Sequence, residues 1–179
     1  MKKDYLDVIT DLLDVEPILI NSALVSAQNR NRYYWCNWDV EQPEDKGVFL
    51  KDIIQGGIVD RNKSYCLDAN YFKGGNPKIY FEKSRRQLVF KDKSQTLLAT
   101  IYKENAKSMV KRNKLGLLIS QVFGEQIYFR KLSPIECERL QTLPDNYTEG
   151  VSNTQRYKML GNGWTVDVIK HLFKELKES

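Results

Sequence analysis

Residues 130–147 read RKLSPIECERLQTLPDNY and, after a short polar run, residues 157–173 read YKMLGNGWTVDVIKHLF. The first stretch contains a capping box: Ser133 as N-cap, Pro134 at the first helical position and Glu136 three residues after the cap. It predicts a helix that starts at Pro134 and stops before Pro144. The second stretch predicts a short helix stopped by glycine, a Gly161-Asn162-Gly163-Trp164 corner and a last amphipathic helix. Val166, Ile169, Leu172, Phe173 and Leu176 share one face of that helix, and Lys170, Lys174 and Lys177 place positive charge towards its C-terminal end. His171, the only histidine, falls on the polar side and reads as a solvated surface residue.

At the other end of the chain, Tyr5, Val8, Ile9, Leu12 and Leu13 recur at helical spacing, predicting an amphipathic helix over 4–14. After Pro17, the run Ile18 to Ile20 has strand length, and Arg32 to Trp38 gives an aromatic-rich second strand. Residues 41–47, EQPEDKG, read as a linker or surface turn. Val48 to Ile54 suggests a short helix. Residues 56–129 are irregular and basic, with strand-like pieces at Tyr65 to Leu67, Ile79 to Phe81, Leu88 to Phe90, Thr96 to Ile101 and Ile127 to Phe129.

The chain's 179 residues suffice for one domain or parts of two. Hydrophobic residues at 41% and charged residues at 28% exclude wholesale disorder, and the net charge of +5 leans towards polyanionic partners. Cys36, Cys66 and Cys137 are too few and too scattered for a disulfide framework or a zinc site, so no metal is expected. Asp4, Asp7 and Asp11 interrupt what would be the apolar core of a signal peptide, and no apolar run has the length of a membrane span. The expectation is a reduced, cytoplasmic protein without a membrane partner.

Gln28-Asn29-Arg30-Asn31-Arg32 places two arginines at alternate positions beside an extended segment, where they point the same way. Alone, the pattern is weak and reads as a solvated basic turn before it reads as a site. Followed by RKLSPIECERLQTLPDNY and GNGWTVDV, it resembles the C-terminal half of a DNA cytosine-5 methyltransferase: Gln28 to Arg32 matches motif VIII, Arg130 to Tyr147 motif IX and Gly161 to Val168 motif X. The look is closest to the de novo branch and its bacterial and phage relatives. The implied fold is α/β: the edge portion of a Rossmann-like S-adenosylmethionine-dependent methyltransferase sheet plus a small, irregular β-rich target recognition domain. The implied boundaries are residues 1–40 for the catalytic-domain edge, 41–129 for the recognition domain and 130–179 for the returning motif IX and X segment.

The resemblance implies double-stranded DNA as partner, S-adenosylmethionine as cofactor and a flipped cytosine as substrate. It makes Arg32 the candidate to hydrogen-bond the base or its catalytic partners and Arg30 the candidate for an adjacent phosphate. Asn162, Gly163 and Trp164 become candidates to line the cofactor site; the structural alternatives are that Gly161 ends the preceding helix and Trp164 anchors a core. Arg139 would brace the recognition domain, with Leu140 packed beneath it. Within the recognition segment, Ser94 to Thr100 resembles the family's Thr-Leu-x-Ala stretch, so Thr96 and Thr100 are candidate DNA contacts. Lys73, Arg85, Arg86 and the run from Lys103 to Lys114 supply charge for phosphates, or form a solvated basic surface.

The family's catalytic residues have no counterpart in the chain. None of the prolines at 17, 43, 77, 134 and 144 precedes a cysteine, so no Pro-Cys nucleophile loop occurs. Glu104-Asn105 precedes Ala106, not the valine of a Glu-Asn-Val strand end. Cys36, within an aromatic strand, reads as a structural cysteine rather than a displaced nucleophile. By resemblance, an N-terminal half or subunit would supply the nucleophilic cysteine, the glutamate and most of the sheet. The chain alone is then expected to be inactive and prone to self-association through its unpaired sheet edge. A catalytically inactive, stand-alone DNA-binding remnant is the alternative, and an RNA cytosine methyltransferase a third reading.

Overall fold

The computed structural model describes residues 3–90, 117–119, 126–174 and 176. Helix α1 spans Lys3–Leu13 and leads into strand β1, Pro17–Asn21, which pairs antiparallel with β2, Asn31–Trp35. The register sets Ile18 against Tyr34 and Ile20 against Arg32. The strand expected over Arg32 to Trp38 thus begins one residue earlier and ends at Trp35, after which the indole of Trp38 donates to the Leu172 carbonyl at 3.0 Å. Trp35 Nε1 donates to Thr10 Oγ1 at 3.2 Å, tying α1 to the hairpin. No residue of α1 is buried: Tyr5, Val8, Leu12 and Leu13 lie exposed along it.

Helix α2 is a single turn, Leu50–Ile53, shorter than the Val48 to Ile54 expected. Tyr65 to Leu67 forms no strand; the neighbouring Ser64 makes only an isolated parallel bridge with Gln28. Ile79 to Phe81, expected as strand, lies within helix α3, Pro77–Lys83. Its start explains the difference: Pro77 suits a first helical turn, the Asn76 side chain accepts from Ile79 N at 3.4 Å, and the Asn76 carbonyl accepts from Tyr80 N at 3.2 Å. Strands β3 (Leu88–Phe90), β4 (Leu117–Ile119) and β5 (Gln126–Lys131) form an antiparallel sheet in the order β3-β5-β4. The expected strand over Thr96 to Ile101 lies outside the described residues.

Helix α4 spans Pro134–Leu140 and carries the expected capping box: Ser133 Oγ accepts from Glu136 N, and Glu136 Oε2 accepts from Ser133 N at 2.7 Å. Helix α5, Asn153–Asn162, ends at Gly163, whose N–H donates to the Met159 carbonyl at 2.8 Å. Gly161 therefore lies within the helix and does not terminate it. Helix α6 spans Val166–Lys174 and buries Val168 and Leu172, while Phe173 and Leu176 of the expected apolar face stay exposed.

Burial of apolar side chains makes the central core. It joins Leu50, Ile53, Leu67, Tyr71 and Val89 to Leu132, Cys137, Leu140, Tyr157 and Leu160. A second cluster packs Ile20 and Val25 of the hairpin region against Val168 and Leu172 of α6. A third, of Tyr80, Leu88 and Phe129, closes α3 over the small sheet. Among the described residues, no helix is long and apolar enough to cross a membrane.

Candidate functional site

The segment between β1 and β2 is held by its own side chains. Asn21 Oδ1 accepts from Ala23 N and from Arg30 N, both at 3.0 Å, closing the loop so that Gln28 and Arg30 turn inward. Gln28 is fully buried; its amide nitrogen donates to the Leu140 carbonyl at 2.7 Å and to Gln141 Oε1 at 3.0 Å, while its oxygen accepts from Leu67 N at 3.3 Å. One glutamine thereby joins its own loop to two distant segments, and each bond satisfies a group that burial would otherwise leave costly.

Arg30 is only 4% exposed. Its guanidinium donates to the carbonyls of Leu67 at 3.0 Å and Gly163 at 2.8 Å, with a longer contact to Gly161 at 3.4 Å. This revises the expectation of a phosphate contact, because the planar fork is spent on main-chain oxygens within the fold. Arg32, one alternation later, is exposed; it donates to the Asn31 carbonyl at 2.7 Å and reaches Cys66 Sγ at 3.8 Å. Arg30 also meets Cys66 Sγ, at 3.3 Å, so the two arginines do lie on one side of the strand.

A cleft of about 420 Å³ opens beside this strand, lined by Asn29, Arg32, Tyr65, Cys66, Leu67, Asp68, Ala69, Ser84, Arg85 and Gly161. Gly161 fits because a Cβ there would stand 2.3 Å from the Asp68 carbonyl carbon and 2.4 Å from Ala69 N. Only glycine allows α5 to approach the 68–69 backbone so closely. Arg85 and Arg86 both pair with Asp68 Oδ2, at 2.9 and 3.4 Å. Lys73 is exposed, with its ammonium 5.5 Å from the Phe72 ring centroid, and does not line the cleft. Thr96, Thr100 and the Lys103 to Lys114 run lie outside the described residues.

At the Gly161–Thr165 corner, Asn162 and Trp164 are exposed, the latter at 66%. Trp164 is therefore no core anchor. The corner is held from beneath by Gln141: its oxygen accepts from Thr165 Oγ1 at 3.0 Å and its amide donates to the Leu160 carbonyl, while its main-chain oxygen accepts from Val166 N at 3.0 Å. Sequence reasoning singled out neither Gln141 nor Asp68. A polar residue at the end of an apolar helix face was the available signal for Gln141; Asp68 offered none.

Around α4, Arg139 donates to the Ile53 carbonyl at 2.9 Å and pairs through both arms with Asp145. Burial opposes the charge of Glu136, but Arg130 and the N–H groups of Gln55 and Ser133 outweigh it and hold the carboxyl below its usual range. Glu138 is likewise held low despite burial, by Thr148, Arg156 and the N–H groups of Thr148 and Asn146. Burial pushes the thiols of Cys36 and Cys137 up, which disfavours their nucleophilic thiolate forms. Among the described residues, no group of three or more His, Cys, Asp or Glu side chains could hold a metal ion.

A profile of the C-5 cytosine-specific DNA methylase family matches residues 14–178. The type II methyltransferase M2.ScrFI of Lactococcus lactis subsp. cremoris is 33% identical over 165 residues, covering 89% of this chain and 38% of the relative. The orphan methyltransferase M.SPBetaI of Bacillus phage SPbeta is 48% identical over 52 residues, covering 26% of this chain and 12% of the relative. In structure, the methyltransferase EhMeth of Entamoeba histolytica superposes with a TM-score of 0.55 at 13% identity, covering 99% of this chain and 60% of that one. A DNMT2 mutant of Spodoptera frugiperda gives 0.53 at 16% identity, covering 96% and 62%. The chain thus spans less than two thirds of each of these relatives and shares an α/β methyltransferase fold with the solved ones. With the match running from residue 14 to residue 178, the chain belongs to the C-5 cytosine-specific DNA methylase family.

Proposed function

We propose that this chain is the DNA-recognising C-terminal part of a cytosine-5 methyltransferase, which transfers a methyl group to carbon 5 of a flipped cytosine in duplex DNA. The observation that carries the reading is the convergence of Arg32 and Arg85 with Gly161 on one cleft. Three separate parts of the sequence there combine positive charge with the start of a glycine-rich corner. Arg32 is the residue assigned to the base or its catalytic partners, since its guanidinium has donors to spare at the surface. Arg30 positions the corner from within. Arg85, Arg86 and Lys73 are assigned to phosphates, with Thr96 and Thr100 as further DNA contacts.

The residues at the corner fit one wall of an S-adenosylmethionine site. Gly163 presents backbone without a side chain, Asn162 offers exposed polar groups, and Trp164 offers an exposed aromatic face. When bound, S-adenosylmethionine supplies the methyl group. This chain's contribution is to hold the cofactor's flank and to orient the DNA.

The nucleophilic cysteine and the glutamate that assists at ring nitrogen 3 are assigned to an N-terminal half carried by a separate subunit or by a longer polypeptide. The exposed apolar row Tyr5, Val8, Leu12 and Leu13 on α1 supports a partner of that kind. Residues 1–40 would complete its sheet edge, 41–129 would read DNA and 130–179 would return to the catalytic domain. Mixing the chain with a polypeptide that carries the Pro-Cys and Glu-Asn-Val motifs, then following methyl transfer to duplex DNA, tests the assignment. Activity that needs both polypeptides and falls with Arg32→Ala is expected. Duplex binding without transfer would favour the inactive remnant, and transfer by this chain alone would overturn both.

A further inference from the structure

Asp68 is an acidic residue in the wall of a basic cleft, and the reading above gives it no role. Its position is fixed on several sides. Its carbonyl accepts from Tyr71 N at 2.9 Å, and its Oδ1 accepts from Asn70 N at 2.8 Å. The preceding Leu67 carbonyl accepts from buried Arg30 at 3.0 Å, and the close approach of Gly161 leaves the 68–69 backbone no room on the α5 side. The carboxylate is therefore an anchored group.

The two arginines it holds are on a strained loop. Ser84 and Arg86 have φ of 49° and 60°, in the left-handed region that non-glycine residues enter at a cost. Asp68 Oδ2 alone accepts from both Arg85 Nη2 and Arg86 Nε. Arg85 is 58% exposed and lines the cleft together with Arg32, and among the described residues its one hydrogen bond, to Asp68, leaves guanidinium donors over. A half-exposed pair of this kind is worth little to stability.

We infer that Asp68 is a positioning residue for DNA discrimination: it tethers the exposed Arg85, with the largely buried Arg86 held behind it, so that Arg85 meets a duplex in one geometry, and it penalises general polyanion binding. The inference rests on the DNA-binding function proposed above. Discrimination is a difference of affinities, and a group that weakens every non-matching encounter widens it. Releasing the arginines should therefore strengthen non-specific binding, whereas a purely structural aspartate would weaken all binding when removed.

The test uses the full 179-residue chain. Wild type, Asp68→Asn, the Arg85→Gln/Arg86→Gln pair and the triple variant are titrated with a random-sequence duplex at several salt concentrations. Asparagine keeps the oxygen that accepts from Asn70 N. Asp68→Asn is expected to raise affinity about three- to tenfold and to steepen the slope of log K against log salt by about 1. In the Arg85→Gln/Arg86→Gln background the same change should alter affinity by less than about 1.5-fold. Selection from a randomised duplex pool should also return a weaker sequence preference for Asp68→Asn than for wild type. Lowered affinity, or an equal rise in both backgrounds, overturns the inference while leaving duplex binding itself intact. Absence of salt-dependent duplex binding by wild type overturns the DNA-binding function and the role of Asp68 together.

Discussion

The Arg30 guanidinium donates to the Gly163 carbonyl at 2.8 Å across 133 residues of sequence. The same group holds the Leu67 carbonyl, so one buried side chain spans the hairpin region, the cleft wall and the glycine corner. Arg30→Ala is expected to destabilise the fold by about 2–4 kcal/mol, because it leaves buried carbonyls unpaired. Arg30→Lys should recover only part of this, since a single ammonium cannot replace the planar fork. Urea unfolding of the three proteins measures both. Equal stability of wild type and Arg30→Ala would remove the bracing role.

Glu136 and Glu138, the two fully buried carboxyls, should contribute to the acid limb of stability beside Asp60 and Asp145, which are also held low. Both carboxyls are held below their usual range in the fold. A depressed folded pKa contributes stability that is present above the unfolded glutamate value of about 4.3 and is lost as pH falls through the folded value. The unfolding midpoint in urea should therefore drop as pH falls below about 5. Glu138→Gln leaves Arg156, its partner at 2.8 Å, with an uncompensated charge. The variant should lose about 3–5 kcal/mol at neutral pH and show a shallower acid limb than wild type.

How much of this was legible in the sequence depends on the range of each interaction. Ser133, Pro134 and Glu136 form helix α4's start among themselves, so the capping box is legible in four consecutive residues. Pro77 and Asn76 carry a similar local signal, but the aromatic run Ile79 to Phe81 favoured a strand and masked the helix that buries Tyr80. The alternation of Arg30 and Arg32 was legible and their different burial was not. Arg30 is enclosed by Leu67, Gly161 and Gly163, which arrive from far along the chain. Gln28 and Gln141, separated by 113 residues, meet for the same reason. The spacing of Gln28 and Arg30 marks them within their own segment, but nothing periodic in the sequence points to the distant groups they join.

Gly161→Ala tests the contact between α5 and the cleft wall. Within a helix, alanine is intrinsically better than glycine by about 1 kcal/mol. Here the added Cβ would stand 2.3 Å from backbone atoms of Asp68, so one of the two segments must move. The expected outcome is a net loss of about 1–3 kcal/mol despite the gain in propensity. Thermal unfolding decides it, because the two effects have opposite signs.

Trp164 should behave in the opposite way to Gly161. With 66% of its surface exposed, its removal creates no cavity, and Trp164→Ala should change stability by less than about 0.5 kcal/mol. If its ring covers one side of the bound cofactor, the same variant in the reconstituted two-part enzyme should bind S-adenosylmethionine about tenfold more weakly. Trp164→Phe, which keeps an aromatic face, should restore most of that affinity. Calorimetric titration of the three proteins with S-adenosylmethionine separates these outcomes, and equal affinities with unchanged stability would place the ring outside the cofactor site.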